Sequence, residues 1–373
     1  MDEKVLLKDQ LFNKNGVERI AEGIKKIYPS FNKKRFTKKV IEKFPELELT
    51  PRIKWITENL KTFLPEDYRE ATTILLTSLP SHRDTDNLDS DFGDFMYAPY
   101  SDFVAKYGCT KENLQFSLDA LKEMTKRFSA EDAIRYFIDA FPKETFSELL
   151  KWSKDSDYHV RRLTSEGTRP LLPWSKRIKT PIDYALPILG NLYFDKSRFV
   201  TRSVANHLND ISKIDPSVFF ATLKTWEKSE KQTEKEITYI ANQALRTLIK
   251  KGNADAIVFY NLSANPGIII SDFHISDTVK IGESVEFGFT LKAEKDEQLF
   301  IDYILYFQNK SGNGYNKKVF QLKRMNLKKG QTINITKKHR MWHFSTRKLN
   351  LGKHKIEIQI NGGKVGERTF ELQ

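Results

Sequence analysis

The feature of this sequence that most constrains its fold is a motif that recurs along the chain. The first copy begins at Val160, the second begins 40 residues later at Val200, and a third copy begins at Thr238. One aligned column holds Glu166, Asn206 and Asn242, and another holds Arg162, Arg202 and Thr238. A period in this range predicts that the chain stacks one small structural unit several times.

The repeated unit is predicted to be a pair of helices. Apolar residues recur at spacings of three and four throughout residues 1–260, which is typical of amphipathic helices. An amphipathic stretch precedes each copy, at Phe146–Trp152, Ile188–Leu192 and Val218–Trp226. One such pair cannot bury its apolar face alone, so pairs of this length stack into a curved HEAT-like solenoid. We therefore expect residues 1–265 to be an all-α HEAT-like solenoid with a concave binding face.

The apolar pattern changes period near Asn265, Pro266 and Gly267. Beyond this point apolar residues alternate with polar ones, as in Ser284–Leu291 and Lys353–Ile360, and glycine-rich turns separate the runs. About seven short strands in this region predict an all-β immunoglobulin-like sandwich over residues 268–373. The single cysteine of the chain excludes the Cys…Trp…Cys pattern of antibody domains.

The charge of the chain favours an anionic partner. The formal net charge is +13, and residues 271–373 alone hold 19 basic against 11 acidic residues. An excess of this kind is typical of proteins that bind nucleic acid. The alternative is that the charge serves solubility only.

Two features of the sequence indicate the cellular compartment of the protein: the number of cysteines and the residues at the beginning of the chain. Cys109 is the only cysteine, which excludes an intrachain disulfide framework and a multi-cysteine zinc site and fits a reducing, intracellular setting. The first residues lack the apolar core of a signal peptide, and no long apolar run predicts a membrane helix. We expect a cytoplasmic protein.

An acidic segment at His82–Asp94 interrupts the helical pattern with five aspartates. A metal-binding loop is one interpretation, but the spacing departs from the calcium-loop template and lacks its terminal glutamate. The interpretation as a solvated loop is preferred. We expect no metal and no cofactor.

The segment Asp157–Trp174 is the main candidate for a functional site. It concentrates arginines, carboxylates and an aromatic residue, and such charges need partners if they are buried. For Arg162 and Arg202 the alternatives are contacts to phosphate groups and salt bridges between helices. Asp157 is a candidate catalytic carboxylate or a helix N-cap, and Trp174 is a platform for a base or a core residue.

Glu166 also has two interpretations. It is a candidate catalytic carboxylate, or it forms an ion pair with Arg162 or Arg169 at a spacing of four or three residues.

A second basic segment lies in the predicted β domain. Lys337, Lys338 and Arg340 stand close to Trp342, and basic residues interleaved with an aromatic residue are typical of nucleic-acid surfaces. The alternative is a soluble strand face beside a core tryptophan. From the residues alone we infer a basic solenoid with a β-sandwich that binds a polyanion, without proof of catalysis.

Three segments of the helical region resemble one known family. His159–Trp174, Lys126–Arg135 and Phe199–Ile211 are similar to segments of the AlkC-type DNA glycosylases, which belong to the HEAT-like AlkC/AlkD superfamily. The resemblance covers about residues 1–260, and one branch of the family carries a C-terminal immunoglobulin-like domain.

This resemblance implies a bacterial, metal-free, monofunctional enzyme that excises cationic methylated bases from duplex DNA, chiefly 3-methyladenine, with 3-methylcytosine as a second candidate. A carboxylate stabilises the oxocarbenium-like sugar and positions water. The implied carboxylates are Asp157 and Glu123, with Glu166 third. The implied phosphate contacts are Arg162, Arg169 and Arg202, and Trp174 would lie against the lesion.

The same resemblance implies a monomer that works in the cytoplasm near the nucleoid. Two other classes of function stay open. A non-catalytic protein that binds bent or damaged DNA would show salt-dependent affinity without releasing a base. A protein-interaction scaffold would not bind DNA even at low salt.

Overall fold

The computed structural model describes residues 6–81, 93–343 and 348–373. Most of the acidic segment, residues 82–92, lies outside the described residues, so its interpretation as a solvated loop stays a prediction. The chain divides into two compact units, Met1–Ala244 and Leu245–Gln373. In the described part, no helix is both long and apolar enough to cross a membrane.

Helices build the described part of the first unit and extend into the second. The α-helices are Leu7–Leu11 (α1), Lys14–Ile27 (α2), Lys33–Glu42 (α3), Leu49–Phe63 (α4), Tyr68–Thr77 (α5), Ala98–Gly108 (α6), Leu114–Met124 (α7), Ile134–Ala140 (α8), Pro142–Trp152 (α9), Tyr158–Glu166 (α10), Leu186–Leu192 (α11), Arg198–Ile214 (α12), Pro216–Lys228 (α13), Glu234–Lys250 (α14) and Ala254–Phe259 (α15). Short 3-10 helices occupy Phe44–Glu46, Phe95–Tyr97 and Ile182–Tyr184.

The three copies of the sequence motif lie in α10, α12 and α14. The amphipathic stretch before each copy lies in α9, α11 and α13, so the period in the sequence is a period of helix pairs. α10 packs against α9, α11 and α12, and its buried residues Val160 and Leu163 contribute to the core between them. The predicted helical region is confirmed.

Ion pairs join successive helix pairs. The pairs are Lys122 with Asp155, Arg161 with Asp195, and Arg198 with Glu236. In each pair the partners lie more than 30 residues apart, about one repeat. Arg161 therefore belongs to the scaffold that joins successive repeats.

Strands build the rest of the second unit. They are Ile268–Ile275 (β1), Thr278–Val279 (β2), Ser284–Ala293 (β3), Glu297–Gln308 (β4), Tyr315–Leu327 (β5), Thr332–Arg340 (β6), Gly352–Ile360 (β7) and Gly363–Leu372 (β8). One sheet has the order β1-β3-β6 and the other has the order β2-β8-β7-β4-β5. All pairs are antiparallel except β2 with β8.

The core of this unit follows the alternation of the sequence. Phe287, Phe289 and Leu291 on β3 are buried together with Ile301 and Tyr303 on β4, because alternate side chains of a strand point to the same face. The predicted all-β domain is confirmed, and its described residues form eight strands where about seven were predicted. Its compact unit begins before the first strand, since Asn361 donates to the Ser263 carbonyl over 2.9 Å.

Candidate active site

Asp157 caps the helix that carries most of the candidate residues. Its Oδ1 accepts hydrogen bonds from the backbone N–H of His159 at 2.8 Å and of Val160 at 3.2 Å. The side chain therefore satisfies N–H groups that the first turn of a helix leaves without partners. The predicted N-cap is confirmed, and this role leaves open the catalytic role also predicted for Asp157.

Glu123 lies in the last turn of α7, and its carboxylate is partly exposed. Lys126 donates to its Oε2 over 2.7 Å, and Arg127 binds its other oxygen. Burial alone would raise the pKa of this carboxyl, but the two cations outweigh it and hold the pKa below its ordinary value. Glu123 is therefore an ionised carboxylate at neutral pH.

A salt bridge brings the end of α7 to the beginning of α10. Lys122, next to Glu123, lies 2.6 Å from Asp155, and the other oxygen of Asp155 accepts the backbone N–H of Asp157 at 2.9 Å. The two carboxylates predicted from the sequence therefore belong to segments that are held together by one lysine.

A second contact between the same two segments runs through Arg162. Its Nη1 donates to Glu131 and to the hydroxyl of Ser129, each over 2.9 Å. The guanidinium also lies 4.5 Å from the centre of the Phe199 ring. Arg162 is buried, so the structure places it in a salt bridge to the turn between α7 and α8, and a salt bridge was one of its two predicted roles.

Glu166 and Arg169 form the centre of a buried ion cluster. Arg169 donates to Glu166 over 2.6 Å and to Asp210 on α12 over 2.9 Å. Ser203 donates to the other oxygen of Glu166 over 2.6 Å. Burial favours the neutral acid, but Arg162 and Arg169 outweigh it and hold the pKa of Glu166 below its usual range. Glu166 is an ionised carboxylate in a poorly solvated place.

His207 packs beside this cluster on α12. Its Nδ1 lies 3.0 Å from the carbonyl oxygen of Ser165, and the ring is fully buried. Burial lowers the pKa of His207 to about 4, so the ring is neutral and donates its Nδ1 proton to that carbonyl. A neutral ring avoids a further charge beside Arg169.

The remaining predicted phosphate ligand, Arg202, is half-buried on α12 and its Nε lies 3.3 Å from the hydroxyl of Tyr239. Arg162 and Arg169 are both buried and engaged with carboxylates. Losing one partner of a buried ion pair costs about 3–5 kcal/mol. The ion cluster is therefore the first role of those two arginines, and their contacts to phosphate stay a prediction.

Trp174 is 99% exposed and its backbone has a φ of +66°. A bulky residue rarely adopts this left-handed conformation, and it persists only where the surroundings impose it. The core role that the sequence left open for Trp174 is excluded. An indole held entirely in solvent is available to a ligand.

Sequence reasoning missed four residues that the structure adds to the site. They are Glu131, Arg135, Ser203 and Asp210. Glu131 and Arg135 stand in the second family-like segment, and Asp210 stands in the third. Their partners lie more than 30 residues away, so only their place in those segments could have signalled them.

The basic segment of the β domain lies on β6, at the edge of the three-stranded sheet. Lys337, Lys338 and Arg340 are exposed. Lys338 pairs with Glu286 over 3.1 Å, and the Arg340 guanidinium lies 5.0 Å from the Trp342 ring centre. Trp342 is 46% exposed, so it is not a core tryptophan, and this edge offers cations and an aromatic face together.

Comparisons with known proteins cover both units of the chain. A protein-family model described as "Uncharacterised protein YhaZ, C-terminal Ig-like domain" matches residues 270–373. The "Uncharacterized protein YhaZ" of Bacillus subtilis (strain 168) is 32% identical over 368 residues, which cover 97% of this chain and 98% of that protein. The first match confirms the immunoglobulin-like class of the β domain.

The chain is also similar to a solved structure over nearly its whole length. That structure is the Pseudomonas fluorescens alkylpurine DNA glycosylase AlkC bound to DNA containing an abasic site analog. The TM-score is 0.88 at 32% sequence identity, with 99% of this chain and 100% of that chain covered. The similarity includes the helices that carry Glu123, Asp157 and Glu166.

Proposed function

Since the chain belongs to the family of AlkC-type alkylpurine DNA glycosylases, to which YhaZ is also related, we propose that it is a DNA repair enzyme. It hydrolyses the N-glycosidic bond of cationic alkylated bases in duplex DNA, chiefly 3-methyladenine and also 3-methylcytosine. The observation that carries this proposal is the full-length similarity to a DNA-bound glycosylase, together with ionised carboxylates at Glu123 and Glu166.

The chemistry suits carboxylates that are already charged. A methylated base leaves easily because it departs with a positive charge, and the sugar left behind is an oxocarbenium-like cation. A fixed anion stabilises that cation more strongly in the transition state than in the substrate. In this proposal Asp157 and Glu123 face the sugar, and one of them orients the attacking water.

The buried ion cluster supports those two residues in this proposal. Glu166, the third predicted carboxylate, is bound by Arg169 and Ser203, so it acts chiefly through the negative charge it keeps near the site. Arg162 and Arg169 hold this charge in place and reach phosphates only where DNA displaces a partner. Arg202 is the predicted phosphate ligand that is least buried of the three.

Duplex DNA with an alkylated base is the proposed partner, and the enzyme is proposed to act as a monomer near the nucleoid in the cytoplasm. The exposed Trp174 lies against the lesion, where its ring stacks on a base or attracts the cationic base through its face. Lys337, Lys338 and Arg340 add phosphate contacts from the β domain.

The decisive experiment is a base-release assay. Methylated duplex DNA is incubated with the protein, and released bases are separated by chromatography against a protein-free control for spontaneous loss. We expect enzyme-dependent release of 3-methyladenine. Salt-dependent binding to the same DNA without release would instead identify a non-catalytic binding protein, and absence of binding at low salt would exclude both.

A further inference from the structure

The loop that follows α10 carries Trp174, and it is held by a helix far from it in the sequence. The loop runs from Gly167 to Thr180, before the 3-10 helix Ile182–Tyr184. Leu172 of this loop is buried, whereas Trp174 two residues later is 99% exposed. The loop therefore packs against the protein through Leu172, whereas the indole of Trp174 projects into solvent.

Arg135 on α8 binds main-chain carbonyls at both ends of this loop. Its Nη1 donates to the carbonyls of Gly167 and Arg169, each over 2.8 Å, and its Nε donates to the carbonyl of Lys176 over 2.7 Å. Trp174 lies between these anchoring points. One planar guanidinium thus sets the distance between the two arms of the loop.

A second residue of α8 holds the far arm. Asp139, one turn after Arg135, lies 2.8 Å from the ammonium of Lys176 and accepts the backbone N–H of Lys179 at 3.3 Å. The same ammonium lies 4.3 Å from the centre of the Tyr136 ring. Residues at this spacing share one face of a helix, so α8 presents a continuous surface to the loop.

Burial of the charged side chain of Arg135 costs free energy, so its position needs an explanation. The residue is fully buried, and among the described residues no carboxylate forms a salt bridge with its guanidinium. Asp132 and Asp139 act on the guanidinium only through their charge, and main-chain carbonyls provide its hydrogen bonds. A buried charge is costly unless such bonds are made. A core that needed only packing would be served as well by an apolar residue.

We propose that Arg135 is a positioning residue for Trp174: by binding both arms of the Gly167–Thr180 loop, it holds the exposed indole in the conformation that contacts DNA. This inference rests on the proposed function, because it assigns the indole to the DNA contact. A loop that is already ordered before DNA binds loses little conformational entropy on binding. The free energy of binding therefore does not include the cost of ordering the loop.

The test is a double-mutant cycle between Arg135 and Trp174. Single-turnover release of 3-methyladenine is measured for the wild type, R135M, W174A and the double variant. Stacking of one aromatic ring on a base predicts a loss of about tenfold for W174A. R135M should show a similar loss in the wild-type background and no further loss in the W174A background. Equal losses in both backgrounds would overturn the proposal.

Two further variants separate positioning from charge and from folding. R135K keeps the charge but cannot span three carbonyls, so it should behave like R135M; wild-type activity in R135K would contradict the proposal. If R135M does not fold, D139N loosens only the far arm and should show the same dependence on Trp174.

Arg52 offers a matched control. It is also buried and donates to main-chain carbonyls, including those of Phe12 and Phe44 over 2.9 Å each, and it differs from Arg135 in that it also pairs with Asp9 over 2.7 Å. R52M should lower the melting temperature but leave the effect of W174A on base release at its wild-type size. If R52M removes the effect of W174A as R135M does, the role of Arg135 is only structural.

Affinity for duplex DNA with an abasic-site analogue, measured by fluorescence anisotropy, gives a readout that does not need catalysis. If the wild type binds this DNA but releases no base, the proposed enzymatic function is wrong. The role of Arg135 in positioning Trp174 can still be tested through DNA affinity. The proposal then requires that W174A and R135M weaken binding to a similar extent and without additivity. Unchanged affinity in both variants would refute it.

Discussion

The ammonium of Lys122 lies 2.6 Å from the carboxylate of Asp155, and this contact helps to join the two segments that carry Glu123 and Asp157. Lys122 is the neighbour of Glu123, and Asp155 in turn accepts the backbone N–H of Asp157. The relative position of the two proposed catalytic carboxylates therefore depends on a pair that would not itself touch the DNA base.

We predict that K122M lowers the rate of base release about tenfold, because a small displacement of a catalytic group can cost this much or more. The melting temperature should change little, since a partly exposed ion pair stabilises a fold by about 0–1 kcal/mol. K151M is the matched control, because Lys151 pairs with Glu148 over 2.5 Å at the surface. A K151M variant as slow as K122M would argue against a specific role for Lys122.

Two substitutions of Asp157 separate its cap from its chemistry. Asparagine caps a helix about as well as aspartate, whereas alanine loses the cap at a cost of about 1 kcal/mol. D157N should therefore melt like the wild type yet release 3-methyladenine at least about a hundredfold more slowly, in the range for a lost electrostatic stabiliser. D157A should lose both activity and stability. Wild-type activity in D157N would restrict Asp157 to its capping role.

His207 predicts a pH dependence of stability. Burial lowers the pKa of His207 to about 4 in the folded protein, below the ordinary value of 6.5. The unfolded chain therefore binds the proton more readily, and the stability that the neutral ring preserves is present above pH 6.5 and is lost as the pH falls toward 4. Between pH 6.5 and 5 this group alone should remove roughly 2 kcal/mol.

Urea unfolding at several pH values measures this effect. The wild type and H207Q should show parallel pH dependence above pH 6.5, and the wild type should lose more stability than H207Q below it. Curves that stay parallel down to pH 5 would show that the ring titrates normally.

The basic edge of the β domain predicts a salt-dependent contribution to DNA affinity. Each phosphate contact contributes about 0.9 to the slope of log affinity against log salt concentration. K337A should therefore lower both the affinity and the slope by about one contact, for damaged and undamaged duplexes alike. K353A, at an exposed lysine on β7 of the other sheet, is the control. Equal changes in the two variants would mean that β6 has no special contact.

Local patterns predicted much of the architecture because they act through neighbouring residues. The spacing of Val160 and Leu163 indicates one buried face of a helix. The alternation of Phe287, Phe289 and Leu291 indicates one buried face of a strand. The N-cap at Asp157 was also predicted, since a cap is satisfied within its own first turn. These features need no knowledge of distant parts of the chain.

The pairing of the candidate residues could not be predicted in the same way. Arg162 had two predicted roles, and its bond to Glu131 on a distant segment shows that it takes the ion-pair role. Trp174 likewise had two, and the extent of its exposure becomes visible only when the loop is folded. Each outcome depends on contacts between residues more than 30 positions apart.

Patterns in the amino-acid sequence are enough to predict a helical repeat region followed by a β domain, an excess of positive charge, and the residue types of the site. Hydrophobic period and local capping carry that information within a few turns of chain. Only the folded chain shows that Ser203 holds Glu166, that Asp210 holds Arg169 and that Arg135 secures the loop of Trp174. The reason is physical: a buried charge is stable only beside its partner, and the partner comes from another repeat.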